Sequence, residues 1–127
     1  MLLNVLIVDD HPIVRHGLRT MLESYDDVEV IGEAGDGLEA VRLAEQLLPG
    51  IVVMDINMPT MNGIEATRQI TARHPNIIVI GLSVNTADYH RYAMTRAGAA
   101  MLLAKEEAVE KLHDAIIATI KQRHRFD

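Results

Sequence analysis

Five short apolar runs, each followed by a stretch of helical periodicity, constrain this chain more tightly than any other feature. The runs span residues 3–8, 28–31, 51–54, 77–82 and 99–103. They are dense in Val, Ile and Leu and show no alternation with polar residues, which is the signature of strands buried on both faces. After the first run, Val14, Leu18, Met21 and Leu22 recur at three- and four-residue spacing, with Pro12 suited to a first helical turn. After the second, Ala40, Val41, Ala44, Leu47 and Leu48 repeat the stripe until Pro49-Gly50. Ile64, Thr67 and Ile70 mark a third helix that stops before Pro75. A fourth over residues 86–97 is the most polar, carrying Ala87, Tyr89, Tyr92 and Ala93, with Gly98 as its cap. Val109, Leu112, Ile116 and Ile120 mark the fifth.

Buried-type strands alternating with helices need crossover connections, and these are right-handed. The expected fold is therefore α/β, a doubly wound parallel sheet with helices on both faces. Ligands of such sheets bind beyond the carboxyl ends of the strands, where strand order reverses. That rule gathers Asp9-Asp10-His11, then Asp55 and Asn57, then Ser83, then Lys105 at one edge. The second strand, ending at Gly32-Glu33, contributes nothing comparable.

Composition narrows the function classes. A chain of 127 residues suits one domain that buries roughly two-thirds of its unfolded surface. Its core must be aliphatic, because Tyr25, Tyr89, Tyr92 and Phe126 are the only aromatics. A net charge of −6 argues against direct binding of nucleic acid or an anionic membrane, and Lys121-Gln122-Arg123-His124-Arg125 is too short to reverse it. The absence of cysteine excludes disulfides, thiolate zinc sites and cysteine nucleophiles. No apolar run approaches the ~18 residues of a membrane span, and no basic leader precedes the first strand. A soluble, cytoplasmic protein is expected.

Asp9, Asp10 and Asp55 would repel one another unless a cation neutralised them. Oxygen donors of this kind suit Mg²⁺, which keeps several waters and often shares a phosphate. Lys105 adds a mobile positive charge and Ser83 a hydroxyl. Such a set is equipped for phosphoryl transfer, where an aspartate can be the nucleophile, and the hypothesis is that Asp55 becomes an acyl phosphate. Taken singly the residues have plainer readings. Asp9 and Asp10 suit the start of a helix, Lys105 a solvated surface and Ser83 a turn, while His11, beside the carboxylates, reads as a loop residue ahead of the alternative that it ligates a softer metal. Gly63 suits the turn after Pro59, and Tyr89 and Tyr92 suit helix packing.

Three segments together resemble the receiver domains of two-component response regulators, with the NarL/FixJ (LuxR-type) branch nearest. They are Val8-Asp9-Asp10-His11-Pro12-Ile13-Val14-Arg15 with Gly17-Leu18, then Gly32 through Ala40, then Met54-Asp55-Ile56-Asn57-Met58-Pro59 through Thr67. The resemblance implies a five-stranded flavodoxin-like (βα)5 fold of strand order 2-1-3-4-5 over residues 1–120. Residues 121–127 would be a tail or the start of a linker to an output domain. It also implies Asp55 as phosphoacceptor, Asp10 as direct Mg²⁺ ligand, Asp9 as a ligand through water, and the Asn57 backbone carbonyl as a further ligand. Ser83 and Lys105 would contact the phosphoryl group, while the Asn57 and Asn85 side chains would tune its lifetime. The donor would be a histidine kinase, the first or fifth helix could form a homodimer face, and DNA would be reached only through a helix-turn-helix output domain. Such a protein is a signalling phosphoacceptor with slow self-dephosphorylation rather than a conventional enzyme.

Two departures from the family pattern stand out. Met101-Leu102 occupies the place of a small residue followed by an aromatic, so Leu102 cannot report the Ser83 shift by the usual ring rotation. Glu106 stands where many receivers carry proline after the lysine, and a cis bond there without proline would cost ~3 kcal/mol. Three alternatives remain: a stand-alone receiver, an unphosphorylated pseudo-receiver used for dimerisation, and a haloacid-dehalogenase-type phosphohydrolase. The last wants a second acid where Asn57 stands.

Overall fold

A computed structural model describes residues 2–126; Met1 and Asp127, the latter in the expected tail, lie outside the described residues. Strands β1 (Leu3–Val8), β2 (Val28–Ala34), β3 (Ile51–Asp55), β4 (Ile78–Ser83) and β5 (Met101–Ala104) alternate with helices α1 (Pro12–Glu23), α2 (Gly37–Leu47), α3 (Gly63–Arg73), α4 (Asp88–Ala97) and α5 (Ala108–Phe126). All the strands pair in parallel in the order β2-β1-β3-β4-β5. The expected doubly wound architecture is the one observed. Strand order reverses at β1, so the crevice opens between the carboxyl ends of β1 and β3.

Alternation along each strand divides one aliphatic core into two layers. Val5, Ile7, Val53 and Ile80 face α1 and α5, where Leu18, Leu22, Leu112 and Ile116 meet them. Leu6, Val8, Val52, Met54 and Val79 face the opposite layer, against Ala40, Ala44, Ile70 and Met94. Local chemistry starts the middle helices. Asp36 accepts the Glu39 amide and Asn62 accepts the Glu65 amide, so each orphan donor is capped and each first turn carries an acid.

Several sequence readings are corrected at element edges. Strand β2 runs on past residue 31 to Ala34, because a register shift opposite Val5/Leu6 absorbs Ile31 and the ladder resumes at Gly32. Helix α2 ends in a left-handed Leu48 before Pro49, and Leu48 is exposed rather than part of the buried stripe. Helix α4 begins at Asp88, and Tyr89 and Tyr92 are each 66% exposed while Met94 and Ala97 are buried. The two tyrosines therefore lie outside the core, and it is Met94 and Leu102 that press on Gly81. Val109 is exposed and Ala108, Leu112, Ala115 and Ile116 form the buried stripe of α5. Residues 121–126 continue that helix.

Gly63 serves a close approach rather than a turn. Its φ is ordinary, but a Cβ there would overlap the Asp55 carbonyl oxygen and lie 2.8 Å from Ile56 Cα. Gly98 does need its conformation, with φ of 110° and Thr71 pressed against it. Gly63→Ala is predicted to cost about 2–4 kcal/mol in urea unfolding, because only backbone can yield. A loss under 1 kcal/mol would show that α3 stands off β3.

Candidate functional site

Each residue expected at the sheet's carboxyl edge is there. Asp55 is the last residue of β3, Ser83 the last of β4, Asp9 follows β1 directly and Lys105 follows β5 directly. Asp9, Asp55 and Ser83 are buried, whereas the Asp10 side chain is 26% exposed. Lys105 Nζ lies 2.6 Å from Asp9 Oδ2 and 3.4 Å from Asp55 Oδ2, so one ammonium bridges two buried carboxylates. The Lys105–Glu106 peptide is trans, and Lys105 opens a short 3-10 turn that leads into α5.

Charge within the crevice is out of balance. Burial first, and then the neighbouring Asp9, push the Asp55 carboxyl up to about 6, against the opposing pull of Lys105 and the Asn57 amide. Burial would lower the Lys105 ammonium, but hydrogen bonding and attraction from Asp9 and Asp55 raise it above its ordinary value. Asp9 Oδ2 and Asp55 Oδ2 share the single Lys105 ammonium, and Asp10 Oδ1 has only the neighbouring His11 Nδ1, so the buried anionic oxygens are under-supplied with donors. Unsatisfied anionic oxygens at the crevice floor fit a hard divalent ion such as Mg²⁺, which sequence reasoning assigned to these residues.

The remaining expected residues sit around this centre. The Asn57 amide donates to Asp55 Oδ1 at 3.3 Å, turning the loop back over the carboxylate. Within that loop the Met61 amide bonds the Pro59 carbonyl, and Thr60 is held at φ of 69°, an uncommon conformation for a β-branched residue. Ser83 Oγ donates to the Asn85 carbonyl at 2.7 Å and accepts the Asn85 amide at 3.0 Å. The Asn85 side chain accepts the Ala87 amide at 2.9 Å and so is engaged in its own loop. Leu102 is buried in the layer shared with Met94, away from the carboxylates.

Sequence reasoning missed one contributor. Glu33, dismissed at the end of β2, is gripped by Arg15 at 3.1 Å and Arg19 at 2.6 Å. Burial pushes the Glu33 carboxyl up, but Arg19 and Arg15 together hold it below its ordinary value. Arg15 also donates to the Asp9 carbonyl at 2.6 Å, so the Glu33 pair fixes the backbone that presents Asp9. The signal lay in spacing, because Arg15 stands one helical turn after His11 and its amide bonds the His11 carbonyl. His11, expected beside the carboxylates, is there, with Nδ1 3.1 Å from Asp9 Oδ1 and 3.0 Å from Asp10 Oδ1. It stands in the exposed loop between β1 and α1, as the plain reading has it.

A doubly wound sheet with this acidic crevice at its switch point is shared with known proteins. Residues 5–117 match the response regulator receiver domain, and the chain belongs to that family. It is 44% identical over 128 residues to the transcriptional regulatory protein LiaR of Bacillus subtilis, covering 99% of this chain and 60% of that protein. It is 37% identical over 115 residues to the response regulator GacA of Pseudomonas viridiflava, covering 91% of this chain and 54% of GacA. The chain thus spans a little over half the length of these relatives. Among solved structures, a LuxR-family two-component response regulator from Aurantimonas sp. SI85-9A1 superposes with a TM-score of 0.91 at 34% identity, covering 96% of this chain and 87% of that one. The signal receiver domain of NarL from Mycobacterium tuberculosis gives a TM-score of 0.89 at 28% identity, covering 94% and 97%. Among the described residues, no helix is long and apolar enough to cross a membrane.

The raised Asp55 value has a consequence for stability. Between the ordinary 3.8 and about 6, the folded protein holds a proton that the unfolded chain has released, so stability falls as pH rises through that window. In metal-free buffer, Asp55→Asn is predicted to be more stable than the parent at pH 7.5 by about 1–3 kcal/mol, the gap closing near pH 4. Urea unfolding at both pH values measures this, and a variant no more stable at pH 7.5 would contradict it.

Proposed function

We propose that Asp55 accepts a phosphoryl group from the phosphohistidine of a histidine kinase, and that the chain is the switching half of a DNA-binding regulator. The observation that carries this is a buried carboxylate at the switch-point crevice, its Oδ2 facing only the Lys105 charge and two further acids at its side. One Asp55 oxygen attacks phosphorus, the phosphorus–nitrogen bond breaks, and the imidazole nitrogen leaves and is protonated. A carboxylate pushed up to about 6 is a better nucleophile than a solvated one, yet Lys105 keeps it ionised at neutral pH.

Asp10, Asp55 and the Asn57 backbone carbonyl would hold Mg²⁺, with Asp9 acting through water. When bound, the ion offsets the charge that the carboxylates and phosphoryl oxygens bring together. Lys105 has an ion pair with Asp9 to exchange for one with the phosphoryl group, at little net cost in contacts. Asn57 and Asn85 flank the approach to Asp55 and would set how readily water reaches the product.

Ser83 carries the consequence outward. Its hydroxyl has a single hydrogen, now given to the Asn85 carbonyl, and donating it to a phosphoryl oxygen breaks that bond. The freed segment is linked to β5 by Arg91, which donates to the Thr86 carbonyl at 3.2 Å and the Leu102 carbonyl at 2.9 Å. Leu102 is already inside against Met94, so the shift travels through backbone held by Arg91 rather than through a side-chain swing. Residues 1–120 form the receiver unit and 121–126 lead out of it on α5. Ile13 on α1, 87% exposed, and Val109 on α5, 65% exposed, suit faces for the kinase or a second copy. The acidic surface suits an arrangement in which DNA is bound elsewhere in the whole protein.

Acetyl phosphate with Mg²⁺ is predicted to add one phosphoryl group, seen by intact mass. Asp55→Asn should abolish it and Lys105→Ala should slow it by about 100-fold. Unchanged labelling of Asp55→Asn would place the acceptor elsewhere. If Arg91 carries the shift, Arg91→Ala should leave labelling intact while shrinking the phosphorylation-dependent methyl NMR shift of Leu102; an undiminished shift would sink that route.

A further inference from the structure

Arg15 joins helix α1 to strand β2 through Glu33, and its remaining contact falls on the peptide between the two acids of the first loop. Its amide bonds the His11 carbonyl at 3.0 Å in the opening turn of α1, and helical side chains lean back toward the amino end. Arg15 therefore reaches the loop that precedes its helix. There Nη1 donates to the Asp9 carbonyl at 2.6 Å while Nε donates to Glu33 Oε1 at 3.1 Å. Asp9 is held from its other side as well, because its own amide donates to the Ala34 carbonyl at 3.1 Å. The end of β2 thus supplies both that acceptor and the anchor of the arginine.

The two acids differ in how much they need this clasp. Asp9 is fully buried, with Lys105 Nζ at 2.6 Å and the His11 amide at 2.8 Å, so its own contacts fix its carboxylate. Asp10 lies beyond the end of β1 with its side chain 26% exposed, and its Oδ1 has only His11 Nδ1 beside it at 3.0 Å. Where Asp10 points is therefore set by the plane of the Asp9–Asp10 peptide, whose oxygen is the atom that Arg15 holds. Partly exposed ion pairs add little stability by themselves, and Arg15 and Glu33 are 20% and 27% exposed. The value of the pair lies in aim. A planar guanidinium presents Nε and Nη1 in a fixed fork, one arm for the Glu33 carboxylate and one for the Asp9 carbonyl, and a lysine has no such fork.

We propose that Arg15 is a positioning residue for the phosphoryl transfer: oriented by Glu33, it fixes the Asp9–Asp10 peptide so that the Asp10 carboxylate is set before Mg²⁺ arrives. The proposal rests on the preceding reading for the roles of Asp10 and Asp55 and adds the residue that aims the first of them. A peptide already held loses little freedom when its acid takes a cation, whereas a loose one must be ordered at that step. Once Asp10 is engaged by the ion, the peptide needs no other restraint. Loss of Arg15 is therefore felt in the affinity for Mg²⁺ and not in the transfer that follows. Arg19 provides the internal comparison, because it grips Glu33 at 2.6 Å and the Val30 carbonyl at 3.3 Å and so braces the anchor from the far side of Glu33.

Two measurements on the full chain test this. The first follows acetyl phosphate labelling by intact mass across a Mg²⁺ series, which separates the half-saturating Mg²⁺ concentration from the limiting rate. Arg15→Ala is expected to raise the half-saturating concentration about tenfold or more while the limiting rate stays within about twofold. Arg15→Lys is expected to recover only part of that rise, Glu33→Gln to shift it in the same direction, and Arg19→Ala to shift it less than Arg15→Ala does. The second needs no metal: hydrogen exchange of the His11 amide, bonded to Asp9 Oδ1, is expected to quicken in Arg15→Ala. If Arg15→Ala lowers the thermal melt, Glu33→Gln, which keeps the side chain's size, carries both comparisons. A limiting rate that falls at an unchanged half-saturating concentration overturns the proposal, as do equal shifts for Arg15→Ala and Arg19→Ala or an unquickened His11 amide. If the parent is labelled and Arg15→Ala matches it throughout, only the role of Arg15 falls; if the parent takes no label, the phosphoacceptor reading falls and takes this role with it.

Discussion

Repulsion between buried carboxylates, restrained by one lysine, is the constraint on which the rest of this structure depends. Asp9 and Asp55 lie at the carboxyl ends of neighbouring strands at the bottom of the crevice, where little water screens them. Lys105 is the cation that spans them, at 2.6 Å and 3.4 Å, and it arrives from the far edge of the sheet. One positive charge against three acids leaves oxygens unsatisfied, a cost that a fold selected only for stability would have removed. That acidic excess is what the proposed cation and phosphoryl chemistry would relieve.

The framework spends its most exacting contacts on holding those acids still. The parallel register sets Val8 beside Met54 and Asp55 beside Leu82, so the strand ends arrive at one level. Gly63 lets α3 press against the Asp55 backbone, and the Ile56 carbonyl accepts the Gly63 amide at 2.8 Å. On the other side Glu33, Arg15 and Arg19 form a network whose Arg15 arm clasps the Asp9 carbonyl. At the opposite end of the crevice Ser83 and Asn85 close a small local turn, and Arg91 together with the packing of Met94 on Leu102 ties the following segment to β5. A braced acidic floor beside such a rim suits the proposed switch.

Much of this was legible in the sequence because parallel strands advertise themselves. The runs at residues 51–54 and 77–82 are apolar without alternation, which only two-sided burial explains, and the polar residue after each run falls at the sheet edge by topology alone. What was misread has physical causes. The end of β2 was hidden by a bulge at Ile31, which breaks the period that strand reading relies on. Tyr89 and Tyr92 looked like packing residues because aromatics usually are, yet the small face of α4 is what fits the sheet. Glu33 escaped notice for another reason: its partners Arg15 and Arg19 lie on α1, and their meeting depends on how that helix packs beside β2.

The charge state of Asp55 tests the central claim most directly. Carbon-13 NMR of the Asp55 carboxyl, titrated first without metal and then with saturating Mg²⁺, reports it at the atom concerned. The account predicts a midpoint of about 6 without metal, moving well down when Mg²⁺ is added. A midpoint at the ordinary 3.8 that Mg²⁺ leaves in place would contradict it, because the crevice would then lack the charge imbalance that a cation relieves.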